Sequence, residues 1–149
     1  MKIIHTGDWH IGKIVNEFSM IEDQRYILNK LIELIKKEKP DALVIAGDVY
    51  DRSIPPVEAV ELLDKVFEEI LIENGVNILA IAGNHDSAER LSFGSSILEK
   101  NGLYIAGDIK NEFKKVTIEK ENDKVNFFLI PYIEPVVLRK RYEDKSIKN

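Results

Sequence analysis

Ala42-Leu43-Val44-Ile45-Ala46-Gly47-Asp48-Val49-Tyr50-Asp51 is five apolar residues followed by Gly-Asp-x-x-Asp. A continuous apolar run without alternation is the pattern of a strand covered on both faces. Gly47 permits the tight turn and close backbone approach that a site at the strand end needs. The same arrangement occurs on either side. Ile3-Ile4-His5-Thr6 leads into Gly7-Asp8-Trp9-His10, and the run Asn77 to Ala82 leads into Gly83-Asn84-His85-Asp86. Each of three strands thus ends on carboxylates, imidazoles or an amide.

Helical patterns separate the strands. From about Ser19 to Lys39, Ile21, Leu28, Leu31, Ile32 and Ile35 recur at near-helical spacing. Ser19 with Glu22 reads as a capping box. Lys36, Lys37 and Lys39 suit the negative end of this helix, and Pro40 stops it. Pro55-Pro56 opens a second helix to about Glu73, with Val60, Leu63, Val66, Phe67 and Ile70 as its apolar stripe. Ser92 to Lys100 reads as a short helix, and Leu103 to Ala106 as a strand. Phe113 to Glu119 and Lys124 to Ile130 form a hairpin around Glu121-Asn122-Asp123. Glu134 to Asn149 can begin as a helix but turns charged and loses any apolar stripe.

Alternating strands and helices imply right-handed β-α-β units and a mostly parallel sheet, hence an α/β fold. All three motifs then lie at the C-terminal ends of strands, where such sheets build ligand sites. A chain of 149 residues, 44% hydrophobic and 32% charged, fits one domain with a real core. No apolar run is long enough to cross a membrane, and no signal peptide is expected. The absence of cysteine excludes disulfides and thiolate metal sites and fits a cytoplasmic protein. A net charge of -5 argues against a basic nucleic-acid coat. It leaves phosphodiester substrates open, because divalent cations would reverse the local sign.

The donor set suits hard or borderline divalent ions, and two such ions make a phosphoester-cleaving centre. Asp8 and His10, one residue apart, can turn toward one ion. Asp48 can bridge two, and Asn84 offers a neutral carbonyl oxygen to the second. Of the adjacent Asn84 and His85, one can ligate while the other faces the scissile group, and an imidazole there can protonate a leaving alkoxide. Plainer readings compete. His5 reads as a packed or hydrogen-bonded strand histidine, and Trp9 as a residue packed under the loop. Asp51 also suits a helix-capping role. Asp86 is evenly balanced between turn former and functional residue. Arg52 and Arg90 can meet phosphates or simply be solvated, and Arg139-Lys140-Arg141 reads as a solvated face.

D-x-H, G-D-x-x-D and G-N-H-D occur here in order, and with them the chain resembles the calcineurin-like metallophosphoesterases. The longer strings Ile4 to Gly12, Ala46 to Asp51 with Pro55-Pro56, Ala82 to Ser87 and Ile130-Pro131-Tyr132 are similar to the DNA-nuclease members. The resemblance implies a sandwich of mostly parallel sheets flanked by helices. It implies Mn²⁺-dependent cleavage of DNA, with Mg²⁺ or another divalent ion as an alternative. Asp8, His10 and Asp48 would hold one metal, with Asp48 bridging, and Asn84 the second. His85 would protonate the leaving group or position phosphate. Asp51 matches the last acid of the second motif, where related nucleases often carry histidine.

Implied partners are DNA, an ATPase subunit, and a second copy of the chain through helices 56–73 and 92–100. The family completes its site with a further histidine and a G-H-x-H motif, whereas this chain has only His5, His10 and His85. Residues 1–149 are therefore expected to be the N-terminal part of the nuclease domain, without the cap and partner-docking regions, and inactive alone. A small-substrate phosphodiesterase or phosphatase, and a non-catalytic dimerisation or partner-binding module, are the competing expectations.

Overall fold

A computed structural model describes residues 1–108, 113–121 and 123–142, the side chains of 140–142 excepted. In chain order the elements are β1 (Ile3–Thr6), β2 (Ile14–Val15), β3 (Phe18–Ser19), α1 (Ile21–Glu38) and β4 (Ala42–Ala46). There follow α2 (Val57–Glu68), a wider π turn (Glu69–Glu73), β5 (Asn77–Ile81), α3 (Ala88–Leu91) and α4 (Ser95–Leu98). A 3-10 turn (Glu99–Asn101), β6 (Leu103–Ala106), β7 (Lys114–Lys120), β8 (Asp123–Leu129) and α5 (Pro135–Tyr142) complete the described chain. The central sheet has the order β1-β4-β5-β6, and each neighbouring pair is parallel.

Both faces of this sheet are covered, which is why its strands read as unbroken apolar runs. Leu43 and Ile45 of β4, Ile78 and Ala80 of β5, and Leu103 and Ile105 of β6 pack on the helical side. There they meet Leu28, Ile32 and Ile35 of α1 and Leu62, Leu63 and Val66 of α2. The alternate residues Ala42, Leu79 and Ala106 face the β7–β8 hairpin through Val116, Ile118 and Leu129. Each such aliphatic side chain, once buried, contributes about 1.5–3 kcal/mol relative to exposure. The antiparallel hairpin is thus a second layer on a parallel sheet, and the α/β sandwich expectation holds.

Several local expectations are corrected. The Ser19–Glu22 capping box does not form: Met20 is the N-cap residue and gives no side-chain bond. Ser19 is instead paired with Ile14 in a short hairpin, and its Oγ accepts from the Ile21 N–H at 3.4 Å. That hairpin was not anticipated; Asn16 and Glu17 make its turn with φ 48° and 70°. The buried stripe of α2 is Ala59, Leu62, Leu63 and Val66, while Val60 is exposed. The helix is apolar around much of its girth, so periodicity alone did not fix its rotation. The expected helix 92–100 is broken, because Gly94 takes a left-handed φ of 70° and α4 starts after it. The segment 143–149 and the hairpin residue Asn122 lie outside the described residues.

At the opposite end of the sheet from the motifs, Asp41 ties the layers together. Its carboxylate accepts from the Lys2 N–H at 2.7 Å and from Lys120 Nζ at 2.5 Å. Lys120 first, then the Lys2 N–H, hold the Asp41 carboxyl below its ordinary value of 3.8. A depressed carboxyl contributes stability above its unfolded pKa and loses it as pH falls through the folded value. Acid unfolding curves of Asp41→Asn and the unaltered chain should therefore differ near neutrality and converge below that value. A constant offset down to the lowest pH would contradict the linkage.

Candidate metal centre

Beyond the strand ends, the first two motif loops run side by side. Asp8 N–H donates to the Gly47 carbonyl at 3.1 Å, His10 N–H to that of Asp48 at 2.9 Å, and Ile11 N–H to that of Val49 at 2.9 Å. The third loop closes on the second at two glycines. Gly47, with φ 87°, lies against the Gly83 backbone, and a Cβ on Gly83 would occupy the space of the Asp48 carboxylate. Larger residues at either position would push the loops apart.

Three carboxylate and imidazole groups converge there. His10 Nε2 stands 3.8 Å from Asp8 Oδ1 and 3.9 Å from Asp48 Oδ2. These gaps are too long for hydrogen bonds. Donor atoms of Asp8, His10 and Asp48 all lie within 4.8 Å of one another. Asp48 is the one charged residue buried among the described residues. Its Oδ1 accepts from the His85 N–H at 2.9 Å, which leaves Oδ2 toward His10. A second group, His10, Asp51 and His85, meets the same spacing. His10 Nδ1 is buried without a hydrogen-bond partner and faces Asp51 Oδ1 at 3.5 Å. The His10 and His85 rings meet edge to face, with centroids 4.8 Å apart. His85 Nδ1 lies 2.9 Å from the Asp51 carbonyl oxygen.

The backbone marks the same residues. Seven non-glycine residues take positive φ among the described residues. Asn16 and Glu17 turn the first hairpin, Glu121 turns the second, and Lys39 caps α1. The remaining three are Asp8 at 54°, His10 at 45° and Asp48 at 49°. A left-handed conformation costs an L-residue about 1–2 kcal/mol, and such strain gathers at functional sites. Here it turns three donors toward one point. A buried carboxylate and three donors too far apart to satisfy one another fit a bound cation.

The other expected site residues are distributed unevenly. Asn84 is exposed and lines a cleft of about 440 Å³ beside the centre, with Ser53, Asp86, Asp108 and Tyr132. Arg52 Nη2 lies 4.0 Å from Asp51 Oδ2, on the rim. Arg90 instead lines a separate apolar cleft with Tyr50, Phe67 and Phe93. Trp9 packs half-buried against the core, and its Nε1–H donates to Thr6 Oγ1 at 3.0 Å. His5 belongs to neither donor group and sits exposed on β1.

Asp86, left open by the sequence, is a staple. Its Oδ2 accepts from the N–H groups of Val49 at 3.1 Å and Gly83 at 2.9 Å, and Oδ1 from that of Tyr50 at 2.9 Å. It therefore locks the second motif loop to the third. Gln24, overlooked in the sequence, makes comparable contacts with the first loop. It interrupts the apolar stripe between Ile21 and Leu28, the signal that could have exposed it.

The family model for calcineurin-like phosphoesterases matches residues 1–142. The chain is 44% identical over 148 residues to a protein of Staphylococcus saprophyticus named as the SbcD component of the nuclease SbcCD. The alignment covers 99% of this chain and 38% of that relative, so the chain spans well under half of the relative's length. A match of this extent, on a parallel sheet whose three motif loops gather divalent-metal donors, places the chain in the calcineurin-like phosphoesterase family.

Proposed function

We propose that the chain supplies the N-terminal part of the metal-dependent nuclease domain of an SbcD-like enzyme. That enzyme cleaves DNA phosphodiesters, as exonuclease and endonuclease, with Mn²⁺ as cofactor. It works with an SbcC-like ATPase in DNA repair, recombination and replication. The observation that carries this reading is the left-handed backbone shared by Asp8, His10 and Asp48, which aims three donors at one point. The family match and the SbcD relative support it.

In this reading Asp8, His10 and Asp48 hold the first ion, and Asp48 and Asn84 the second. When bound, the ions activate water and neutralise phosphoryl charge. The chain's own residues set the protons. A carbonyl oxygen only accepts, so the contact with Asp51 puts the His85 proton on Nδ1. His85 Nε2 is left as the atom that gives or takes a proton at the scissile group. The Asp51 carboxylate faces His10 Nδ1 and favours the tautomer protonated there, which leaves the Nε2 lone pair toward Asp8 and Asp48. Arg52, on the rim, is available to phosphate oxygens.

With only three histidines in the sequence, the second ion is short of imidazole ligands. Mn²⁺ calorimetry on this chain should resolve one tighter and one much weaker site, with little or no DNA cleavage. Two tight sites would contradict the ligand count. A longer form carrying further histidines should cleave DNA with Mn²⁺; activity on a nucleoside phosphodiester but none on DNA would favour the small-substrate reading.

Homodimerisation belongs to the same proposal. Val57, Val60 and Ile72 on or beside α2, with Phe93 and Ile97 around α4, are exposed apolar side chains on the expected helices. Sedimentation should show a dimer that Phe93→Glu and Ile97→Glu together weaken.

A further inference from the structure

Gln24 lies in the first turns of α1, outside all three motifs. Its amide is nevertheless fully engaged by the first motif loop. Nε2 donates to the Trp9 carbonyl at 3.1 Å and to the His10 carbonyl at 2.6 Å. Oε1 accepts from the Gly12 N–H at 2.9 Å. The inward-facing N–H groups of this loop are spent on the second loop, at Asp8, His10 and Ile11. On the other side Gln24 bonds the Trp9 and His10 carbonyls, the latter shared with the Lys13 N–H at 3.1 Å. One planar amide so fixes the peptide units on both sides of His10.

This matters because the loop is strained. Asp8 and His10 hold φ of 54° and 45° only while surrounding contacts outweigh the preference for ordinary backbone. The second loop pins the N–H side, but a rotation of the His10 peptide would relieve strain and swing the ring away from Asp48. The bond from Gln24 to the His10 carbonyl opposes that rotation directly. Few side chains can do this. The contact needs two donors and an acceptor in one rigid plane, which an amide supplies and a carboxylate does not.

We propose that Gln24 is a positioning residue for the metal centre: it holds the His10 peptide in the left-handed conformation that keeps the imidazole in the donor set. The proposal rests on the metal-site reading given above. It separates two functions of one side chain, since Gln24→Glu retains the acceptor for Gly12 but sets a carboxylate oxygen against two carbonyls.

The test is Mn²⁺ titration calorimetry of the 149-residue chain, unaltered and as Q24E and Q24M, with thermal unfolding and amide hydrogen exchange of the metal-free forms. Q24E should raise the dissociation constant of the tighter site about tenfold or more, the range for groups that orient a metal ligand. The Mn²⁺ electron paramagnetic resonance spectrum should change with it, while the Gly12 amide stays protected. Q24M should weaken binding similarly and also expose the Gly12 amide to exchange. A merely structural role predicts lowered unfolding temperatures in both variants with the Mn²⁺ constant and spectrum unchanged, and that result overturns the proposal. An unaltered chain that binds no Mn²⁺ removes the metal reading and this proposal together. Binding by the unaltered chain that Q24E leaves unchanged removes the positioning role alone.

Discussion

Asp48→Asn should abolish measurable Mn²⁺ binding to the tighter site and, in the same protein, raise the stability of the metal-free chain. The two effects have one origin. Asp48 is the buried charge among the described residues, and only one of its oxygens has a backbone donor. Without a cation, the buried carboxylate shares its donor group with Asp8, and its second oxygen has no backbone donor. Asparagine keeps an acceptor for the His85 N–H and removes the charge. The gain is on the order of 1 kcal/mol, or roughly 2–4 °C in Tm for a chain of this size. The metal loss is far larger. If Asp48 holds the ion as proposed, removing its carboxylate should weaken the site by more than about a hundredfold, beyond the range for residues that only orient ligands. Calorimetry with Mn²⁺ and a thermal scan in chelator check both halves. A variant that binds Mn²⁺ normally would remove Asp48 from the centre. A variant that is less stable without metal would show that the carboxylate serves the fold instead.

That trade, stability given up for a charged site, explains which parts of the molecule were legible in advance. The central sheet was readable because its strands are buried on both faces. Nothing polar interrupts Ala42 to Ala46, so strand type and near-exact limits followed from composition. The motif residues were readable because carboxylates and imidazoles at strand ends have few structural reasons to be there. What escaped depends on contacts between segments distant in sequence. Gln24 serves a loop more than a dozen residues earlier, and Asp86 serves one more than thirty residues earlier. No window of sequence shows either bond. The Ser19 capping box failed for a related reason, since pairing with Ile14 had already claimed that residue for a hairpin. The rotation of α2 escaped because several of its rows are apolar, and only the sheet beneath decides which row is buried. The break at Gly94 was in plain view, but a single glycine in a helical pattern is a weak signal on its own.

Asp86→Ala should be among the most destabilising single substitutions in the chain, although Asp86 belongs to neither donor group. Three backbone N–H groups, from Val49, Tyr50 and Gly83, would lose their acceptor together. Hydrogen bonds to a charged acceptor are worth about 1.5–3 kcal/mol each, and the freed donors sit in a partly buried cleft. Even with water replacing some of them, a loss of roughly 3–5 kcal/mol is expected, a large share of the 5–15 kcal/mol typical of a domain. Asp86→Asn separates geometry from charge. Its single oxygen can keep the Val49 and Gly83 bonds, which share one acceptor atom, but its NH₂ then opposes the Tyr50 N–H. An intermediate loss of about 1–3 kcal/mol follows. Tyr50 offers a second readout. Burial first, then Asp86 and Asp64, push its phenol up to about 12. In Asp86→Asn the phenol should titrate below that value yet still above the ordinary 10.0, because burial remains the larger cause. Urea unfolding with ultraviolet titration of the tyrosines reads both. If Asp86→Ala were as stable as the unaltered chain, the staple would be an accident of the turn, and the registry of the second and third loops would have to be held by the Gly47–Gly83 contact and the His85 bonds to Asp48 and Asp51.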